Sequence, residues 1–403
     1  MSVTIGSIEP ARILSEARRW RADEVAALGA AARPTDLPPW THPQLQSAAA
    51  ARAHDAGGLV VCSGGTTGAP KLTVLAPDLG VPRVLAAWRP LGPGDVLLNL
   101  FPTGKMWGAQ YFYNALAVQC RSAVAPIGAL RPEEFGEWAD VIVGLGITAL
   151  AGSPNVLARF ADMVRDAGVR LPVRAVLWSG EPMTRPRVDA IRSAFPRAGL
   201  WGNYGSIETF VIGVSYPECR LGALHLLPDQ CLEPDDGGAL LTRVGDGWPS
   251  PALRFRLGDR IRHIECPCGV GDAFEVLGRA DDNVKLYGGM VRVGDVLAHA
   301  AAVPGVDEAQ VVLYRDPDVP SAIVGMRLCY AGPNPDPDGV RERIVRALED
   351  LDILDRHTPE AFVVSRVTDV ERNPKTQKVV PLLWRSARNL AEMADPEPAE
   401  VAR

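Results

Sequence analysis

Between Ser63 and Lys71 the chain reads SGGTTGAPK, a run of glycines and hydroxyl residues closed by a lysine. Glycines let backbone N–H groups approach an anion, hydroxyls add donors and the lysine adds charge, so the composition suits a phosphate cradle. It is not a P-loop, because that motif requires Gly-Lys-Ser/Thr, whereas Pro70 precedes Lys71 and Leu72 follows it. Standing alone, the segment is equally an ordinary Ser/Gly turn. A second group with chemistry is Cys219 and His225 (C-x5-H) with Cys266 and Cys268 (C-x-C, within ECPCG). Three thiolates and one imidazole satisfy tetrahedral zinc, and with no open position the site would be structural. Cys231 and His263 are rival ligands, and partly buried free thiols are the plain alternative.

The elements that must position these groups can be read from the apolar pattern. Residues 9 to 31 have helix-forming composition, and PTDLPPW (Pro34 to Trp40) ends that stretch. From Gly58 short apolar runs end in glycine-rich turns: LVVCSGGTTGAP, DVLLNLFPTG, DVIVGLGITALAGSP and VRAVLWSGEP. Helix-like stretches such as NVLARFADMVRDAG lie between them, so strand alternates with helix and a largely parallel α/β sheet is expected. Ligands of such sheets bind beyond the carboxyl ends of the strands, where these loops sit.

The expected fold class is therefore α/β: a large N-terminal domain of α/β sheet layers with a β-rich subdomain, plus a small mobile α+β C-terminal domain. The boundaries are a helical lead-in at 1–57, the main domain at 58–280 with its β-rich part at 219–277, the small lid domain at 281–390, and a disordered tail at 391–403.

Length and composition agree with that division. A chain of 403 residues exceeds one hydrophobic core, since domains run to about 150 residues. Hydrophobic residues are 47% and charged residues 22%, as in packed globular proteins. A net charge of −6 gives no reason to expect nucleic acid or an anionic membrane. No apolar run reaches about eighteen residues and the start lacks an apolar core behind basic residues, so neither membrane spanning nor secretion is expected and the chain reads as cytoplasmic. Seven cysteines then imply reduced thiols or a metal site rather than a disulfide framework.

Five segments in order carry a more specific resemblance. SGGTTGAPK is similar to the phosphate-binding signature of the adenylate-forming superfamily, which includes acyl-CoA ligases, adenylation domains of nonribosomal peptide synthetases and luciferases. VLWSGEP (Val176 to Pro182), NYGSIE (Asn203 to Glu208), RLGDRI (Arg256 to Ile261) and LGRADDNVKLYGG (Leu277 to Gly289) resemble the motifs that follow it in that superfamily. A weaker sixth, ERNPKTQKVV (Glu371 to Val380), resembles the loop of the catalytic lysine. Length and the ECPCG segment place the chain nearest the phenylacetate-CoA ligase branch and short aryl-acid adenylating enzymes of natural-product pathways.

The resemblance implies ATP-dependent activation of a small carboxylic acid as its acyl-adenylate, followed by transfer to a thiol of coenzyme A or a carrier protein. It implies that Ser63, Gly64, Gly65, Thr66, Thr67, Gly68 and Lys71 hold the phosphates, and that Glu208 takes Mg²⁺. Ser179, Gly180 and Glu181 would pass along the adenine with Tyr204 stacking on it, and Pro182, Asn203, Gly205 and Ser206 would belong to the same nucleotide site. Asp259 would accept the ribose hydroxyls with help from Arg279; alone it reads as a Gly-Asp turn. Lys378 would bridge the acid and the α-phosphate, with Lys375 as competitor, and Asp281 would be the hinge. For the acid, Trp107, Gly108, Tyr111, Trp201 and Gly202 offer flat walls and gaps that suit an aromatic ring, although core packing explains isolated aromatics equally well; Lys105 would meet a polar group on the substrate, with a surface lysine as the plain alternative.

The pattern also departs from the family. Ser63-Gly64 stands where Thr-Ser is usual, Ile207 where a hydroxyl residue is usual, Met290 after the hinge glycines, and Gln377 before the lysine. Loss of one such donor can cost about two to three orders of magnitude in rate. Two rival readings stay open: ATP-driven activation of another oxyanion, such as nitrite for diazotising an aryl amine, and a degenerate nucleotide-binding protein without catalysis.

Overall fold

The computed structural model describes residues 3–29, 31–63, 71–104, 106–280, 283–372 and 379–394. The chain divides into two compact units, one holding the described residues up to Ala280 except Thr184–Pro186, the other holding Thr184–Pro186 and the described residues after Ala280.

The first unit is built on a nine-stranded sheet. Five strands are parallel, in the order Ala123–Ala125, Val96–Asn99, Ala149–Gly152, Ala175–Trp178 and Gly199–Ser206. Their apolar runs follow from burial on both faces. Leu97, Ala149, Ala175 and Leu177 pack with Phe112, Tyr113 and Leu116 of the helix Ala109–Gln119, whereas Leu98, Leu150 and Val176 pack with Phe135, Leu157 and Val188 of three other helices. The amino ends of three strands are tied by Asp95, which accepts from Arg174 Nε at 2.7 Å and Thr148 Oγ1 at 2.8 Å, while Thr148 Oγ1 accepts from Val96 N.

Beyond Gly199–Ser206 the sheet continues antiparallel through Phe210–Ser215, Leu224–Leu226, Ala273–Arg279 and Asp259–His263. The β-rich stretch thus divides between this extension and a separate three-stranded sheet of Gln230–Glu233, Leu240–Arg243 and Phe255–Arg256. The strand Leu59–Ser63 is no member of the parallel sheet. Among the described residues it pairs only with Lys71–Leu75, as an antiparallel hairpin, so an apolar run did not by itself distinguish a hairpin arm from a central strand.

The lead-in is part of this unit's core. Ile5 bridges Leu232, Trp40 bridges Phe255, and Ile13, Ala17 and Val25 pack among Leu241, Leu253 and Phe274. Its expected helical stretch is two helices, Pro10–Trp20 and Ala22–Leu28, broken at Arg21. That side chain is buried and donates to Pro38 O and Leu253 O, an arrangement that fixes the break.

The second unit has a hairpin, Asn283–Leu286 with Gly289–Arg292, and a four-stranded sheet in the order Phe362–Arg366, Ile323–Ala331, Glu308–Arg315, Leu382–Ser386. The helices Val293–Ala301, Pro337–Ala347 and Glu349–His357 bury Val296, Ile344 and Leu351 with Val311, Leu313 and Leu328 of the sheet. The tail expected to be disordered from 391 starts instead with the helix Leu390–Ala394; Met393 is buried, and a Cβ on Gly325 would lie 2.3 Å from its sulfur.

Candidate active site

Gly64, Gly65, Thr66, Thr67, Gly68, Lys105, Asp281, Lys375 and Lys378 lie outside the described residues, as do the side chains of Ser63 and Lys71. Of the other expected residues, Ser179–Pro182 and Asn203–Ser206 lie at the carboxyl ends of the last two parallel strands. Trp178 pairs with Gly202 in register, so Ser179–Pro182 leave the sheet where Asn203–Ser206 run on to pair with Phe210–Ser215. Gly202 is required there: a Cβ would lie 2.3 Å from the Trp178 ring.

Asn203 Nδ2 donates to the Tyr113 hydroxyl at 2.7 Å. Tyr113 is buried and stacked on Phe101 with centroids 4.8 Å apart. Burial pushes its phenol well up, against hydrogen bonds with Ser179 and Asn203 that pull the other way. Tyr113 thus joins the Ser179 loop to the strand at Asn203, a role without a motif to announce it. Glu181 is buried with Oε2 3.3 Å from the Arg187 guanidinium, whose Nη1 donates to Pro182 O at 2.8 Å, so the helix Arg185–Ala194 clamps this loop. Gly180 is exposed at φ +87°.

Tyr204 donates its hydroxyl to Asp259 Oδ2 at 2.7 Å, and Arg279 Nη1 lies 3.3 Å from Asp259 Oδ1. Asp259 and Arg279 face each other in register across two strands. Each oxygen therefore has its own partner, which fixes the plane of the carboxylate. Burial first, and then the charge of Asp259, push the Tyr204 phenol well up, keeping it a donor.

Glu208 lies in the turn between the strands Gly199–Ser206 and Phe210–Ser215. The turn is braced: Ser250 Oγ donates to Glu208 O at 2.7 Å, and Arg243 donates to Thr209 O at 2.6 Å, Val211 O at 2.8 Å and Gln230 Oε1 at 2.7 Å. Arg243 is fully buried over Trp248, and burial, with Arg83 nearby, pulls its pKa down to about 9. Ser206 Oγ lies 3.0 Å from Thr209 Oγ1 within the same turn. Gly205 is where the two strands press closest, since a Cβ would fall 1.8 Å from Phe210 O. A carboxylate at a polar turn suits Mg²⁺, which takes hard oxygen ligands.

The residues expected around the acid divide. Trp201 is partly buried and packs edge-on against Trp88 and Tyr216, at 6.3 and 6.0 Å. Trp107 and Tyr111 are exposed, and Gly108 makes room for the Phe210 ring, which a Cβ would meet at 2.7 Å.

The thiols and imidazole do come together. The ligand atoms of Cys219, His225, Cys266 and Cys268 lie within 4.8 Å of one another, with Cys219 Sγ 3.7 Å from Cys268 Sγ and Cys268 Sγ 3.2 Å from His225 Nε2. His225 Nδ1 is 2.9 Å from Gly271 O. A carbonyl only accepts, so Nδ1 carries the proton and Nε2 turns its lone pair to the sulfurs, as a metal-binding imidazole does. Burial alone would raise Cys266, but backbone N–H groups of Cys268 and Arg220 outweigh it and bring its pKa to about 6. This donor set fits a structural zinc. Cys231 and His263 are outside the group.

A sequence profile described as AMP-binding enzyme matches residues 12–270, more than half of the chain. The chain belongs to the AMP-binding enzyme family. Among its relatives in this family, indoleacetate–lysine synthetase of Pseudomonas savastanoi is 24% identical over 168 residues, 41% of this chain and 42% of that protein. A dimodular nonribosomal peptide synthase of Bacillus subtilis is 25% identical over 305 residues, 64% of this chain and 12% of that protein. The chain therefore spans less than half the length of these curated relatives. A 2-hydroxyisobutyryl-CoA ligase structure with 2-HIB-AMP and CoA superposes with TM-score 0.65 at 15% identity, over 94% of this chain and 89% of that one. The amide bond synthetase McbA of Marinactinospora thermotolerans gives 0.55 at 21%, over 78% and 66%. The expected α/β fold with a C-terminal α+β domain is thereby established. Among the described residues no helix is long and apolar enough to cross a membrane.

Proposed function

We propose that the protein activates a small carboxylic acid with ATP. The carboxylate oxygen attacks the α-phosphorus, the bond to the bridging oxygen breaks, pyrophosphate leaves, and the acyl-adenylate remains. A thiol of coenzyme A or of a carrier protein then attacks the acyl carbon, yielding a thioester and AMP. The observation that carries this reading is the Tyr204–Asp259–Arg279 cluster together with the Glu208 turn; Tyr204, Glu208 and Asp259 lie within the span matched by the family, and Arg279 follows it. It offers a fixed carboxylate for two ribose hydroxyls and a second carboxylate for a cation.

Catalysis of this reaction is positioning and charge neutralisation. Asp259 would orient the ribose, the segments Ser179–Pro182 and Asn203–Ser206 would enclose the base, and Glu208 would hold Mg²⁺. Mg²⁺ would supply neutralisation of the departing pyrophosphate. Lys71 and Thr66–Gly68 would serve the β- and γ-phosphates, and Lys378 the carboxylate and α-phosphate. An aryl acid is favoured because Trp107 and Tyr111 leave broad apolar surface uncovered, at 42% and 47% exposure. Cys219, His225, Cys266 and Cys268 would hold a structural zinc.

An amine is the second acceptor to consider, supported by the likeness to a lysine-conjugating relative and an amide bond synthetase. Acid-dependent ATP/pyrophosphate exchange over benzoic, cinnamic, phenylacetic and heteroaromatic acids, with nitrite included, tests the adenylation. Exchange with one acid identifies the substrate class; ATP binding without exchange across the panel removes the proposal.

A further inference from the structure

The lead-in reaches the site through one side chain. His42, the first residue of the helix His42–Ala56, places Nδ1 3.8 Å from Glu208 Oε1. One turn further on, the Gln46 amide nitrogen lies 3.2 Å from His42 Nε2 and donates to Thr73 Oγ1 at 3.0 Å. An amide NH₂ has two hydrogens and accepts nothing, so one goes to Thr73 and the other to the ring. His42 Nε2 is then the acceptor, and the proton of the neutral imidazole sits on Nδ1, the nitrogen nearest Glu208. Thr73 is fully buried, on the strand that begins at Lys71. A polar chain therefore runs from the hairpin of the glycine-threonine loop, through Gln46 and His42, to the carboxylate of the 207–209 turn.

We infer that His42 is a positioning residue for Glu208, aiming its carboxylate at Mg²⁺ and tying it to the strand Lys71–Leu75. The inference rests on the proposed role of Glu208 as metal ligand. A neutral N–H donor suits this work, because it turns a carboxylate without cancelling the charge that attracts the cation. The 3.8 Å separation is longer than a formed hydrogen bond, and contacts of this kind tighten when ligands bind.

The test is ATP affinity of the whole protein, measured by calorimetry with and without Mg²⁺, which needs no acid and no turnover. His42→Ala should raise the Mg²⁺ concentration for half the metal-linked gain in ATP affinity by about tenfold, the usual cost of losing an outer-shell partner, and leave Mg²⁺-free ATP binding unchanged. His42→Asn, whose amide nitrogen can donate from near the Nδ1 position, should recover most of that loss at an unchanged melting temperature. Glu208→Gln is the reference and should remove the metal-linked gain. If Glu208→Gln removes it and His42→Ala keeps it, the role of His42 is wrong while that of Glu208 stands. If Glu208→Gln keeps it, both fall. Equal impairment of His42→Ala and His42→Asn would make His42 a packing residue and overturn the inference.

Discussion

Tyr204 and Asp259 are joined by a 2.7 Å hydrogen bond in which the phenol donates to the carboxylate, and Arg279 takes the other oxygen. Removing the phenol leaves Asp259 held at one oxygen. Tyr204→Phe should raise the KM for ATP about three- to tenfold, as expected for one hydrogen bond worth about 1 kcal/mol, and narrow the preference for ATP over 2′-deoxy-ATP. Steady-state kinetics with both nucleotides reads this; an unchanged preference would detach Asp259 from the ribose.

Lys378→Ala should lower the rate of adenylate formation by about a hundredfold or more, with ATP affinity nearly intact, because the proposed contact is made chiefly in the transition state. Exchange kinetics beside equilibrium binding separates the two effects. Retained activity would transfer the role to Lys375.

Purified protein should carry about one zinc per chain by elemental analysis. Cys268→Ser should lose the metal and lower the melting temperature, and a strong chelator should do the same to the wild type. Protein free of metal after purification without chelators would retire the site.

Gly202→Ala pushes a methyl into the Trp178 ring, 2.3 Å away. Since the ring is buried in the sheet face, the strand must move, at a cost of about 1–3 kcal/mol. Urea denaturation measures the loss, and Trp178→Phe in the same chain should recover part of it.

Asp95 connects acid sensitivity to the sheet. Burial acts to raise its pKa, but the Arg174 hydrogen bond, the Gly92 N–H and Thr148 outweigh it, so the folded value lies below the ordinary 3.8. Its contribution is therefore present above that ordinary value and is lost as pH falls through the lower folded one. Asp95→Asn should reduce stability at pH 7 and flatten the acid limb of the stability curve, measured by urea midpoints from pH 7 down to 3. A parallel, equally steep acid limb in the variant would acquit Asp95.

The parallel sheet was legible because strands covered on both faces need apolar residues at every position, and Leu97 to Leu98 or Val176 to Leu177 supply them. The Asp259–Arg279 pair was legible as motif, though only the register of two strands explains their meeting. Other features had no local signal. Leu59–Ser63 looks like a central strand, and only its missing neighbours make it a hairpin arm. Trp201 sits next to a nucleotide-side loop in sequence, yet its ring is used up by Trp88 and Tyr216. Tyr113, Arg243 and His42 act on residues far along the chain, and neither composition nor spacing encodes such distances.

The bridge between Ile5 and Leu232 has a consequence for the order of events during synthesis. More than two hundred residues must emerge before Ile5 has its partner, on the order of ten to forty seconds at about 5–20 residues per second. Throughout that interval Ile13, Ala17 and Val25 have no core to enter, so this stretch is made long before it is buried and is a natural place for a chaperone to wait.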